Sequence, residues 1–185
     1  MEKSACTNGL GTIGYSFSAT RPILLRSAPP KWDAPLSSLT KPIGLSTDTA
    51  DEHRKWIKDV NETQHTNLTF PIIADADLAI AKMYDMIHPG ESETAAVRSV
   101  FIIDPDKKIR LTMTYPMSVG RNFDEILRVI DALQLSDSKR IATPADWQIG
   151  KEVIIPPLIS NEEAKGLFPQ GWTEHRPYLR TTAVS

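Results

Sequence analysis

One stretch, VRSVFIIDPDKKIRLTMTYP (97–116), constrains the fold more than any other part of the chain. Two apolar runs, residues 99–103 and Ile109–Tyr115, flank a polar segment with a proline and two aspartates, which suits a tight turn. The first run is continuously apolar, as in a strand buried on both faces, whereas the second alternates polar and apolar residues, as in an edge strand. The stretch therefore predicts an antiparallel hairpin of one central and one edge strand.

Arg98 stands at the mouth of the predicted buried strand. An unpaired guanidinium is costly there, so we expect it to face a carboxylate, a thiolate or solvent. An ordinary ion pair at the surface is the commonest situation for such an arginine. The sequence leaves these alternatives open.

The elements around the hairpin alternate between strands and helices, which is typical of a thioredoxin-like α/β layer. The first predicted helix has a capping box formed by Thr49 and Glu52, and the last has Asn122 as its cap. The predicted order is a strand at 42–46, a helix from Thr49, a strand at 70–73, a helix at 75–84, the hairpin, and a helix after Asn122.

The two ends of the chain have weaker patterns. Residues 1–41 show no helix period and are predicted to be mostly irregular, with a short strand at 23–26 as one alternative. Residues 136–185 predict one strand at 153–155 and one helix near Ser160, with little core of their own. Four aromatic residues there need burial, so we expect this region to pack on the main domain or on a partner subunit. They are Trp147, Phe168, Trp172 and Tyr178.

Several motifs in order, VRSVFIIDPDKKIRL, TYP, GRNFDEILRVIDALQL, TPADW and VIIPP, resemble the second half of a one-cysteine peroxiredoxin of the fungal, mitochondrial and peroxiredoxin-6-like type. The resemblance covers about residues 42–180. It implies an α/β chain with an incomplete thioredoxin-like (peroxiredoxin) fold and a small C-terminal appended domain. The implied boundaries are 1–41 for a divergent segment, 42–135 for the core and 136–185 for the C-terminal region.

The resemblance also implies a thiol-dependent peroxidase that reduces hydrogen peroxide and organic hydroperoxides through a cysteine sulfenic acid, in antioxidant defence and redox homeostasis. Arg98 resembles the arginine that this family places beside the sulfur, and Arg121 resembles its second basic residue. The resemblance implies a reactive cysteine, and Cys6, the only cysteine of the chain, is the candidate for this nucleophile. No prosthetic cofactor or metal is implied, and an external thiol such as glutathione or thioredoxin would be the co-substrate.

The segment around Cys6 departs from the family pattern. In ACTNGLG the cysteine, threonine, leucine and last glycine match a family segment like PVCTTELG, whereas the preceding proline and the glutamate do not. The family's central strand would lie between the strands at 42–46 and 99–103, and residues 23–26 or 12–17 are the candidates within this chain to fill its place. The alternative is a strained or aggregation-prone fold, or one that another chain completes. We also expect the gene model to be truncated or mis-spliced. The alternative to a peroxidase is then a catalytically inactive peroxiredoxin-like dimerisation or interaction module.

Composition excludes several other classes. A net charge of −2 with interspersed signs gives no footprint for nucleic acid, and no apolar run reaches the ~18 residues of a membrane span. A single cysteine excludes an internal disulfide and fits a reducing compartment, either cytoplasmic or mitochondrial. The scattered histidines do not predict a metal site.

The edge at Ile109–Tyr115 and the resemblance both favour a homodimer.

Overall fold

The structure is a computed structural model that describes residues 23–27 and 40–184, with only the backbone described for 23–27 and Thr40. The chain divides into two compact units. Within the described residues, the first comprises 23–27 and Thr40–Arg121, and the second comprises 122–184.

The described strands of the first unit form a sheet of five, in the order β3-β2-β1-β4-β5. Its core lies around Leu45, Met86 and Phe101, and the Phe101 ring packs edge-to-face on Tyr84 with centroids 5.2 Å apart. Its elements are β1 (Ile23–Ser27), β2 (Thr40–Ser46), α1 (Ala50–Gln64), β3 (Ile72–Ala74), α2 (Ala79–Met83), β4 (Arg98–Ile103) and β5 (Ile109–Tyr115).

The place between the two buried strands is filled by β1. It pairs antiparallel with β2, where Ile23 faces Gly44, and parallel with β4, where Ile23 faces Val100. The prediction that residues 23–26 complete the sheet is confirmed. The alternative segment, 12–17, lies outside the described residues.

The predicted hairpin is confirmed as β4 and β5, which pair antiparallel with Arg98 opposite Tyr115. Residues 99–102 of β4 are buried, whereas exposed and half-buried residues alternate along most of β5. Among the strands that the structure describes, β5 has a neighbour on one side only, so it forms an edge of this sheet.

The two helices of the first unit differ from prediction in one respect. Helix α1 begins after Thr49 with the predicted capping box, in which Thr49 and Glu52 each accept from the other's backbone. Helix α2 begins only at Ala79, because Leu78 adopts a left-handed backbone with φ of 62°. The Asp75 carboxylate instead accepts hydrogen bonds from the N–H groups of Ile80 and Ala81.

The second unit has a core of its own, so the prediction that this region has little core is wrong. Trp147 and Phe168 are buried in a cluster with Ile155, whereas Tyr178 is 68% exposed. The unit begins with α3 (Phe123–Lys139), which Asn122 caps as predicted. A three-stranded sheet and one short helix follow, namely β6 (Val153–Ile155), α4 (Asn161–Leu167), β7 (Thr173–Arg176) and β8 (Leu179–Thr182).

Candidate functional site

The two arginines that the sequence singled out lie together in the first unit. Arg98 begins β4, and Arg121 follows the turn that leaves β5. The two guanidinium groups are close enough that the positive charge of Arg98 lowers the pKa of Arg121. The hairpin explains this proximity, because it brings the start of β4 beside the end of β5.

Arg98 is half-buried and is held by the backbone. Its Nε donates to the carbonyl oxygen of Met117 at 2.8 Å. The ion-pair alternative is not observed, since no carboxylate in the described part of the chain pairs with this guanidinium. A fixed cation without an anionic partner can bind an anion.

Arg121 is less well satisfied than Arg98. Its Nε and one terminal nitrogen, Nη2, are buried and have no hydrogen-bond partner. Burial, and then the charge of Arg98, lower the pKa of Arg121 to about 10, while Tyr115 opposes this effect. Two neighbouring cations with unused donors create a positive potential that favours an anion.

A turn holds the connection between the arginines. The N–H of Val119 donates to the carbonyl oxygen of Pro116 at 3.0 Å, which places Met117 at the first central position. The N–H of Met117 donates to the Glu91 carboxylate at 3.2 Å. Sequence reasoning missed both Glu91 and Met117, because a glutamate in a polar loop and a backbone carbonyl carry no distinctive pattern.

Cys6 lies outside the residues that the structure describes. Its role therefore stays a prediction, as do the roles of Arg98 and Arg121. Over residues 23–27 and 40–184, no group of three His, Cys, Asp or Glu side chains is arranged to hold a metal ion. No helix found there is both long and apolar enough to cross a bilayer.

The second unit has a separate cleft of about 550 Å³. Three of its carboxylates are Asp124, Asp131 and Asp146, and Arg128 on its wall is paired with Glu125 at 2.6 Å. None of the described residues that line it is a serine, a histidine or a cysteine. The cleft therefore brings together no nucleophile and base.

Comparison with known proteins places the chain in a family. The model of the AhpC/TSA family matches residues 37–112, and that of the C-terminal domain of 1-Cys peroxiredoxin matches residues 132–171. Peroxiredoxin-6 of Mus musculus is 45% identical over 155 residues, which cover 77% of this chain and 69% of that protein. The chain belongs to the 1-Cys peroxiredoxin family.

Two further comparisons agree with this assignment. The mitochondrial peroxiredoxin PRX1 of Saccharomyces cerevisiae is 50% identical over 149 residues, which cover 77% of this chain. The structure of a yeast mitochondrial 1-Cys peroxiredoxin, solved to explain thiol resolution via glutathione/thioredoxin systems, matches with a TM-score of 0.75 and 41% identity, covering 89% of this chain and 87% of that chain. The predicted peroxiredoxin fold is confirmed.

The match is partial in length. The chain spans between 57% and 63% of the length of three curated relatives, each named as a peroxiredoxin. The activity of this chain itself is a proposal, because the family's whole length is not represented.

Proposed function

We propose that this chain is a thiol-dependent peroxidase that reduces hydrogen peroxide and small organic hydroperoxides, with Cys6 as nucleophile. The observation that carries the proposal is the arginine pair, in which Arg121 has two buried donors without partners beside the charge of Arg98. Such a pair stabilises a thiolate and the negative charge that develops on a peroxide oxygen.

The reaction is a displacement on the O–O bond. The Cys6 thiolate attacks one peroxide oxygen, the S–O bond forms as the O–O bond breaks, and the leaving oxygen departs as water or alcohol after taking a proton. The sulfur is oxidised to a sulfenic acid while the peroxide is reduced. The arginines hold the anions and exchange no electrons.

An external thiol completes the cycle. Cys6 is the only cysteine, so no second thiol of the same chain can form a disulfide with it. Two equivalents of an external thiol return the sulfenic acid to the thiol, with release of water and one external disulfide. Glutathione or thioredoxin is the proposed reductant, by analogy with the yeast mitochondrial 1-Cys peroxiredoxin. The proposed compartment is the cytoplasm or the mitochondrion, the latter by analogy with peroxiredoxin PRX1.

A homodimer is the proposed assembly. Strand β5 is a sheet edge whose first residue, Ile109, is 51% exposed, and an open edge can pair with its copy about a two-fold axis. This proposal is independent of the chemistry and is tested separately.

The experiment compares peroxide consumption in the presence of dithiothreitol by the wild type and by Cys6→Ser. We expect turnover by the wild type that the variant lacks. Arg98→Met and Arg121→Met test the supporting roles, and each should lower the second-order rate constant by about 100-fold. Equal rates for the wild type and Cys6→Ser would end the proposal.

A further inference from the structure

We propose that Glu91 is the positioning residue of the arginine pair, an inference that rests on the proposed function. It holds the turn between the two arginines through the N–H of Met117 and thereby fixes the Arg98 guanidinium. No sequence motif marks Glu91, which lies in the loop before β4.

Met117 is held from both sides. Its N–H donates to Glu91 Oε2 at 3.2 Å, and its carbonyl oxygen accepts from Arg98 Nε at 2.8 Å. The orientation of the carbonyl is therefore tied to the position of the carboxylate. If the carboxylate is removed, the Met117 N–H loses its side-chain partner and the turn gains freedom to rotate.

The same turn leads to the second arginine. Residues 116–119 form the turn, and one glycine, Gly120, separates it from Arg121. Gly120 offers little restraint, because apart from its chain neighbours no atom lies within 4 Å of the position that a Cβ would take. The anchored turn is thus the nearest fixed point on the N-terminal side of Arg121, and it also fixes Arg98 through the Met117 carbonyl.

Glu91 is itself placed by its own loop. Its N–H donates to the carbonyl oxygen of His88 at 2.8 Å, and the N–H of Ser92 donates to the same oxygen at 2.9 Å. The Ser92 hydroxyl then accepts from the backbone N–H groups of Thr94 and Ala95 at 3.2 and 3.0 Å. A loop with these internal bonds presents the carboxylate in one place, which a positioning role requires.

The consequence for chemistry is geometric. A guanidinium displaced by ~1 Å from its productive position can cost ~100-fold in rate. Because Glu91 acts through one exposed hydrogen bond, we expect a smaller loss, about tenfold in the second-order rate constant with peroxide, for Glu91→Ala. Glu91→Gln keeps a side-chain oxygen acceptor and should stay within about threefold of the wild type.

The matched control is Glu93→Ala. Glu93 is exposed, carries the same charge, and lies two residues further along the same loop without a hydrogen bond or ion pair in the described part of the chain. It should leave the rate unchanged. A loss in Glu93→Ala equal to that in Glu91→Ala would assign the effect to loop charge and would overturn the proposal.

A second readout does not depend on peroxidase activity. The ¹H–¹⁵N signal of the Arg98 Nε–H group should be protected from solvent exchange in the wild type, Glu93→Ala and Glu91→Gln. It should broaden by exchange in Glu91→Ala, in parallel with faster exchange of the Met117 amide. Unchanged exchange at both sites in Glu91→Ala would overturn the proposal, whether or not the protein consumes peroxide.

The two readouts separate this proposal from the proposed function. If the wild type consumes no peroxide, the function fails, and the Nε–H signal alone decides whether Glu91 positions Arg98. If the wild type is active, Glu91→Ala must both expose the Arg98 signal and slow the reaction. Exposure of the signal without a slower reaction would show that the restraint is irrelevant to chemistry and would also overturn the proposal.

Discussion

Replacement of Arg121 by methionine should make the protein more stable while weakening its chemistry. Methionine keeps a flexible side chain of related length but removes the charge and the two buried donors that have no partner. A buried polar group without a hydrogen bond lowers stability, and a functional residue in this situation is a common source of a trade-off between stability and activity.

The size of the effect follows from the lowered pKa. A pKa of about 10 lies about 2.5 below the ordinary arginine value, and at about 1.36 kcal/mol per unit this corresponds to an upper limit of about 3.4 kcal/mol. Since part of the side chain reaches solvent and some packing changes, we expect Arg121→Met to raise the free energy of unfolding by about 1–3 kcal/mol.

The assay is urea unfolding followed by circular dichroism in a Cys6→Ser background, which removes any attraction between a thiolate and Arg121. Arg128→Met is the control, because its guanidinium is paired with Glu125 at 2.6 and 2.7 Å near the surface. It should lose up to about 1 kcal/mol. Destabilisation of the protein by Arg121→Met of more than about 1 kcal/mol would refute the claim that Arg121 is an uncompensated cation.

Three further predictions test separate parts of the structure. Burial raises the pKa of Asp131, so the folded protein holds a proton that the unfolded chain releases, and stability falls as pH rises through this interval. Asparagine does not titrate, so the melting temperature of Asp131→Asn minus that of the wild type should increase from about pH 4 to pH 7. A difference that stays constant or decreases would contradict this. Arg180→Met should destabilise by about 2–4 kcal/mol in urea unfolding, because the guanidinium donates to the carbonyl oxygens of Pro156 and Ile159 and to Asn161; a loss below about 0.5 kcal/mol would show that these bonds contribute little. Ile109→Lys should convert a dimer into a monomer in light scattering, since it charges the exposed end of β5, and an unchanged dimer would place the interface elsewhere.

The hairpin could be predicted because its two strands carry opposite burial patterns that the sequence displays directly. Residues 99–102 are buried, and the exposed Arg110, Thr112 and Thr114 alternate with half-buried neighbours. The capping residues Thr49, Asn122 and Ser160 could also be predicted, because capping is a local interaction. Each side chain accepts a hydrogen bond from the backbone N–H three residues ahead. Local patterns decide these features.

Other features depend on tertiary contacts and carry no local signal. All four residues of β7 are exposed, so they show no alternation, and β8 includes Arg180, a charged residue that is only 3% exposed. The left-handed backbone of Leu78 shortens α2 although the sequence favours an earlier start. The domain boundaries at 41 and 135 stay predictions.

The candidate site was predictable only in part. Arg98 and Arg121 could be named from motifs, and the structure brings them together. Only the three-dimensional arrangement shows that neither has an ion-pair partner among the described residues. It also reveals the bond from Arg98 to the Met117 carbonyl and the anchoring of Met117 by Glu91. Cys6 could be named because it is the only cysteine and because its segment matches part of the family pattern, and it lies outside the described residues.

The most direct measurement of the central claim is the mass of the protein after one equivalent of hydrogen peroxide in the presence of a trap for sulfenic acid. If the arginine pair serves a thiolate, the wild type should carry one trap adduct on Cys6, formed within seconds, and the double variant Arg98→Met, Arg121→Met should form it at least 100-fold more slowly. Adduct formation at the same rate in both proteins would contradict the account, as would its absence from the wild type.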